Sequence, residues 1–419
     1  MFRLLGAGSY LWILFSALVG SGAGQSWTRF RGPNGSGECD ADAVPATWTL
    51  QDALWRVKLP GTGHSSPVLW GDRVYVTATS EDDATRIVCC LNASDGGMVW
   101  QRSFPSKPYH KNGYNSFAAS TPAVDRDRVY ITWTTPEEYT LVALQDASGK
   151  DAWRRDFGPF EGEHGSGASP ILFEDLVVAT NEQNGPSCVI AVECATGKTR
   201  WTAPRRKVKT AYSTPILYTP EGGRTQLVLT SWAHGISSLD ARTGAPLWEL
   251  GVLKHRTVGS PMLAAGLIFA AAGEGGGGKE MFAVRPGDPD KKIDAKVAYP
   301  LEGKLPYVVT PVARGNLLFL WSDQGVVTCL DAPTGKLRWQ EKVGGKFFGS
   351  PVRVGDRLYC ISREGEVVVL AAADQYKLLA RIPLGEPSQC TPAIAGGVMY
   401  LRTQSQLIAV GQGRRGGGK

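Results

Sequence analysis

Five histidines, eight cysteines and one glycine-rich run ending in lysine are the residues whose types could do chemistry. His64, His164 and His255 lie three to six residues before a Ser/Thr-Pro pair, at Pro67, Pro170 and Pro261, and His110 lies twelve before Pro122. His234 belongs to Ser-Trp-Ala-His-Gly, a turn between two apolar runs. An imidazole can move a proton, hold a polar ligand or bind a metal. No His-x-His or His-x3-His spacing supports chelation, so neither a metal nor a catalytic residue is assigned. The expectation is a ligand site among His64, His110, His164, His234 and His255. The bland alternative is that polar residues collect in loops. Basic residues crowd the same loops, at 105–112, 203–209 and 254–256, which would attract a small anionic ligand unless neighbouring acids balance them.

Two other features read as structure. Cys90 and Cys329 each lie six residues before a glycine, Gly96 and Gly335, where comparable segments carry Ala143, Ala191 and Ser238. The position wants a small side chain, which a buried cysteine satisfies. Gly273–Glu280 contains the Gly-x4-Gly-Lys of a phosphate loop, yet no Ser/Thr follows Lys279 and no helical pattern comes after. It reads as a long flexible hairpin loop.

The elements that must position these residues repeat. Thr310–Trp339 divides into four short apolar runs separated by turn signals at Arg314-Gly315-Asn316, Ser322–Gly325 and Asp331–Lys336. Such runs are too short for helices and read as strands. Ser/Thr-Pro recurs at Pro67, Pro122, Pro170, Pro215, Pro261, Pro311, Pro351 and Pro392. A Gly-x3-Trp step recurs at Trp100, Trp153, Trp201, Trp248 and Trp339, and Trp55 carries a matching strand. Two markers in one register, 40 to 55 residues apart, predict an all-β, eight-bladed β-propeller of four-stranded blades. The segment 53–59 resembles a fourth strand with no first three before it, and 391–410 gives three strands with no fourth. Together they predict a last blade completed by the N-terminal strand, which removes exposed sheet edges. Blades five and seven lack the tryptophan.

The motifs at 192–201, 239–248 and 330–339, which end Thr-Gly-Lys-Thr-Arg-Trp, Thr-Gly-Ala-Pro-Leu-Trp and Thr-Gly-Lys-Leu-Arg-Trp, resemble the tryptophan-docking motif of PQQ-repeat propellers. That family includes quinoprotein alcohol dehydrogenases and non-catalytic BamB-like factors. The resemblance implies two functions. One is a platform for an envelope or secreted protein partner, without cofactor. The other is a PQQ- and calcium-dependent dehydrogenase, in which Glu, Asn and Asp around the channel hold the metal. Asn115, Asn181, Asn184 and Glu274 lie in suitable loops, but none sits in a motif that can be matched to those ligands. A third reading is a carbohydrate or other small ligand bound at the channel mouth.

The remaining sequence frames the ring. Hydrophobic residues are 42% and charged residues 20% of 419, ordinary for a water-soluble fold, and the net charge of +6 is mild. Aromatic residues are only sparsely interleaved with the basic ones, which argues against nucleic acid. Residues 1–23 read as a cleaved signal peptide, with Arg3, an apolar Leu11–Val19 core and Ser21-Gly22-Ala23. No cysteine follows that site directly, so a periplasmic or secreted chain without a lipid anchor is expected, and no later stretch could span a membrane. Residues 24–52 form an extended leader, 53–412 the propeller and 413–419 a disordered basic tail.

Overall fold

The computed structural model describes residues 26–40, 44–80, 82 and 85–411. The expected signal peptide and basic tail lie outside them. Eight four-stranded antiparallel units follow one another around a central channel. Blade one is Val68–Trp70, Arg73–Thr79, Thr85–Asn92 and Met98–Pro105; blade two is Ala123–Val124, Arg128–Thr134, Tyr139–Gln145 and Asp151–Asp156. Blades three, four and five begin at Ile171, Ile216 and Met262, and blades six, seven and eight at Val312, Val352 and Ala393. Only three short 3-10 turns interrupt the β-structure of the described residues.

Burial explains the sequence pattern. The middle strands of a blade are covered on both faces by neighbouring blades, so they read as unbroken apolar runs, such as Tyr139–Leu144. The outermost strands have one open face and alternate, as Asp151–Asp156 does. Blade eight closes as expected. Trp55–Lys58 pairs antiparallel with Gln406–Gly411, Trp55 opposite Ala409.

Two sets of contacts tie each blade to the next. On the outside, Trp55, Trp100, Trp153 and Trp201 lie flat on Gly96, Gly149, Gly197 and Gly244 of the following blade. A Cβ on Gly149 would meet the Trp100 ring at 2.6 Å, and its φ of +66° favours glycine independently. The Trp100 indole N–H also donates to the Asp146 carbonyl at 2.7 Å. Trp248 abuts Gly287, and its N–H donates to Gln226. Trp339 donates to the Ala373 carbonyl. In blade five Tyr299 takes the missing tryptophan's place, against Gly335 and bonded to the Ala332 carbonyl. In blade seven Ala380 occupies the equivalent register.

On the inside, the Ser/Thr of every Ser/Thr-Pro pair belongs to a closed belt. The backbone N–H of Ser66 donates to Thr121 Oγ1, Thr121 N–H to Ser169 Oγ, and so on through Thr214, Ser260, Thr310, Ser350 and Thr391 back to Ser66, at 2.9–3.1 Å. Each hydroxyl satisfies a buried amide on its neighbour, and proline then opens the innermost strand, where no partner strand needs its N–H.

The leader does more than lie on the ring. It enters the channel from the end opposite the loops that feed the innermost strands. Trp27 bridges to Leu69, Asn34 exchanges bonds with the Leu217 backbone, and Glu38–Cys39 adds a parallel strand beside Val352–Val354. Arg31 is fully buried and donates to the carbonyls of Pro311, Pro351, Gly35 and Ser36. Arg29 donates to the Pro215 carbonyl at 2.5 Å. The guanidinium groups thus cap carbonyls of the inner edge that no strand pairs.

One loop differs from its expectation. Gly273–Glu280 is a tight hairpin, with Leu267–Glu274 paired to Gly277–Arg285 through Gly275 and Gly276. Both turn residues have positive φ, 61° and 79°, as a two-residue type I′ turn requires. The glycines make a short two-residue turn here, not a long loop. No helix among the described residues is long and apolar enough to cross a membrane.

Candidate functional site

Above the hydroxyl belt the feeding loops enclose a cavity of about 480 Å³. Phe30 of the leader forms part of its lining from below, and belt residues including Thr121 and Thr310 ring it. Tyr212, Tyr307 and Phe348 supply aromatic walls. The long loop before blade two leans over the mouth. Its Tyr114 meets Phe348 edge-on at 5.8 Å, and Arg363 packs on both rings at 4.4 and 4.6 Å. The blade-two loop is thereby tied to blade seven, across the channel, by an aromatic–arginine clamp.

A second, polar chamber of about 250 Å³ adjoins the first. His64, Asn115 and Gln389 line both. Lys111, Ser388 and Gln404 line the second alone. No Asp or Glu lines either chamber among the described residues. Lys111 stacks over Phe117 at 4.9 Å and makes no ion pair among the described residues. The electrostatics follow from this composition. His64 is pushed down to about 4, first by burial and then by Arg402, Lys111 and Arg363, so it is neutral near pH 7.

The five histidines divide. His64 and His164 reach the main cavity. His164 Nε2 lies 2.7 Å from Arg256 Nη1. Since a guanidinium can only donate, the imidazole is the acceptor and is neutral; burial and Arg256 both lower its pKa. His234 is buried away from the cavity, accepting from the Arg206 N–H and facing Glu249 at 2.7 Å. His255 faces Glu280 at 3.1 Å and lies 6.2 Å from the Trp232 ring. His110 is exposed and lines neither chamber. Two of the basic loops are partly balanced: Arg205 pairs with Glu182, Arg206 with Glu249, and Lys209 and Arg256 with Glu163.

Sequence reasoning missed the aromatic walls and Phe30, and singled out Arg256 only as part of the basic loop 254–256. The hydroxyl belt was signalled, because a Ser or Thr precedes proline in all eight repeats. Asp323 stands just behind the wall, accepting from the Tyr307 and Val308 N–H groups. Burial raises it to about 6 against those bonds, and it clamps the loop instead of facing the cavity. Cys89 and Cys90 are free and buried, packed into two different clusters on opposite faces of their strand. No group of three or more His, Cys, Asp or Glu is placed to hold a metal among the described residues.

Comparisons with known proteins agree with this architecture. No curated protein matches the chain in sequence. Among solved structures, BamB from Moraxella catarrhalis superposes with a TM-score of 0.60 at 16% identity, covering 84% of this chain and 95% of that one. The quinohemoprotein alcohol dehydrogenase from Comamonas testosteroni gives 0.67 at 14% identity, over 93% and 81%. A computationally designed protein, Ika8, gives 0.59 at 11% identity, over 86% and 99%. At these identities the likeness is one of fold. The family match is in sequence, over residues 51–201, 84–288 and 294–416, and by it the chain belongs to the PQQ-repeat family described as outer membrane protein assembly factor BamB.

Proposed function

We propose that this chain is a non-catalytic, extracytoplasmic propeller that binds a protein partner or a small ligand at its channel mouth, with envelope protein assembly as its setting. The observation that carries the reading is the make-up of the mouth. Aromatic rings, hydroxyls, amides, the imidazoles of His64 and His164, and cations line it, and among the described residues no carboxylate does. The family description supports the assembly setting, and the resemblance of residues 1–23 to a signal peptide supports the compartment.

The quinohemoprotein dehydrogenases of the same fold supply the second reading, a quinone held with calcium. The residues around this cavity suit that group poorly. Calcium takes oxygen ligands, carboxylates chief among them, and the side-chain oxygens here are amides, hydroxyls and phenols. The test is titration of the purified protein with PQQ and calcium, following quinone absorbance and dye-linked alcohol oxidation. The binding reading expects no saturable quinone uptake and no oxidation. Stoichiometric uptake with turnover overturns it.

A further inference from the structure

The two chambers at the mouth differ in character and share a wall. The larger has aromatic sides, from Tyr212, Tyr307 and Phe348, over a ring of hydroxyls. Each belt hydroxyl accepts a backbone N–H, and among the described residues none passes its own hydrogen to a protein acceptor. Those facing the cavity are donors waiting for an oxygen. The smaller chamber is mainly polar. It holds amides from Asn115, Gln389 and Gln404, and Lys111 with no carboxylate in the lining among the described residues. Arg363 stands at the rim between Tyr114 and Phe348, and Arg402 is buried behind His64. Burial first, and then these three cations, hold His64 neutral.

A ligand complementary to both chambers needs a flat face for the aromatic walls, several hydroxyls for the belt and amides, and one negative group for Lys111. Resting on the binding reading above, we infer that the channel mouth recognises an acidic sugar, a uronic acid or short uronic-acid-bearing saccharide, with the ring against Tyr212 and Tyr307 and the carboxylate in the chamber of Lys111, Asn115 and Gln404. The main cavity, at about 480 Å³, lies within the size range usual for small-ligand sites. The amides and hydroxyls donate to ring oxygens and accept from sugar hydroxyls. His64, neutral, adds one hydrogen bond from a ring nitrogen without a charge of its own.

The experiment is calorimetric titration of the purified full-length protein with D-glucuronate and D-galacturonate, against D-glucose, D-galactose and acetate. The expected result is saturable binding of at least one uronate, at least tenfold tighter than its neutral counterpart and than acetate. In Lys111→Gln the uronate affinity should fall about tenfold while any neutral-sugar binding stays within twofold. Lys111 lies on a loop, and the melting temperature of the variant without sugar reports whether its fold is intact. Acetate binding as tightly as uronate overturns the sugar part, and neutral sugars binding as tightly as uronates overturns the acid part. Absence of any sugar binding overturns the inference as a whole while leaving the non-catalytic reading in place. That reading falls only to quinone uptake with turnover, whatever the sugars do.

Discussion

His64 occupies the wall between two chambers and bears the charges around it. Its folded pKa, about 4, is below the unfolded value near 6.5, so the unfolded chain binds the extra proton between those pH values. The stabilising contribution is therefore complete above pH 6.5 and is lost as pH falls from 6.5 to 4. After discounting for the part of the ring open to solvent, the loss is about 2 kcal/mol. Urea unfolding of His64→Gln across that window should show a correspondingly flatter acid limb than the parent. Arg31 is the other residue whose surroundings set its weight. Arg31→Met leaves the Pro311 and Pro351 carbonyls without their donor, and should cost about 3 kcal/mol by urea unfolding. Arg31→Lys should not restore it, because one ammonium cannot span four acceptors in a planar fork. Neither role was legible in the sequence. Nothing in Arg-Phe-Arg-Gly-Pro says that it turns into a channel, since the carbonyls it meets lie 280 and 320 residues away.

At the scale of the element, the blade was the most legible unit, because its markers are local. A tryptophan four residues after a turn glycine and a proline at a strand start are constraints within one repeat. The bonds between repeats were only half legible. Ser/Thr-Pro marks the repeat, but nothing in it says that the hydroxyl accepts an N–H from the preceding blade. Thr310→Val keeps the shape and removes the acceptor for the buried Ser260 N–H, and should cost about 1–3 kcal/mol. Thr310→Ser should stay within about 0.5 kcal/mol, since the oxygen remains. Thermal unfolding of the two variants side by side separates the hydroxyl from the methyl group. On the outer seam, Trp100→Ala removes a ring packed on Gly149 and the bond to Asp146, and should cost about 3–5 kcal/mol. Blade five shows why the tryptophan pattern alone undercounts: Tyr299 fills the same seat, and its hydroxyl reaches the next blade's backbone as the indole N–H does elsewhere.

At the scale of the molecule, ring closure and the hydroxyl belt make one circuit, so a break anywhere is felt as an open edge. Removal of residues 24–59 takes away both the leader and the fourth strand of blade eight. It should leave Gln406–Gly411 as an unpaired edge and yield aggregated protein on size-exclusion chromatography. Removal of 24–40 alone spares that strand and should yield a monodisperse but less stable ring, with Phe30 gone from the floor. The site resisted sequence reading for a geometric reason. Its walls come from the loops before all eight blades, and no spacing rule relates Tyr212 to Phe348.

The leader has a kinetic consequence. With one end of the channel filled by residues 26–40, the cavity is a cup, and anything inside leaves by the way it came. A protein docked on the mouth would then act as a lid for a small molecule already within. Binding would be ordered, small molecule first, and the partner would slow the release of the small molecule without touching it. The pair would dissociate in the reverse sequence, so the lifetime of the outer complex would set the lifetime of the inner one.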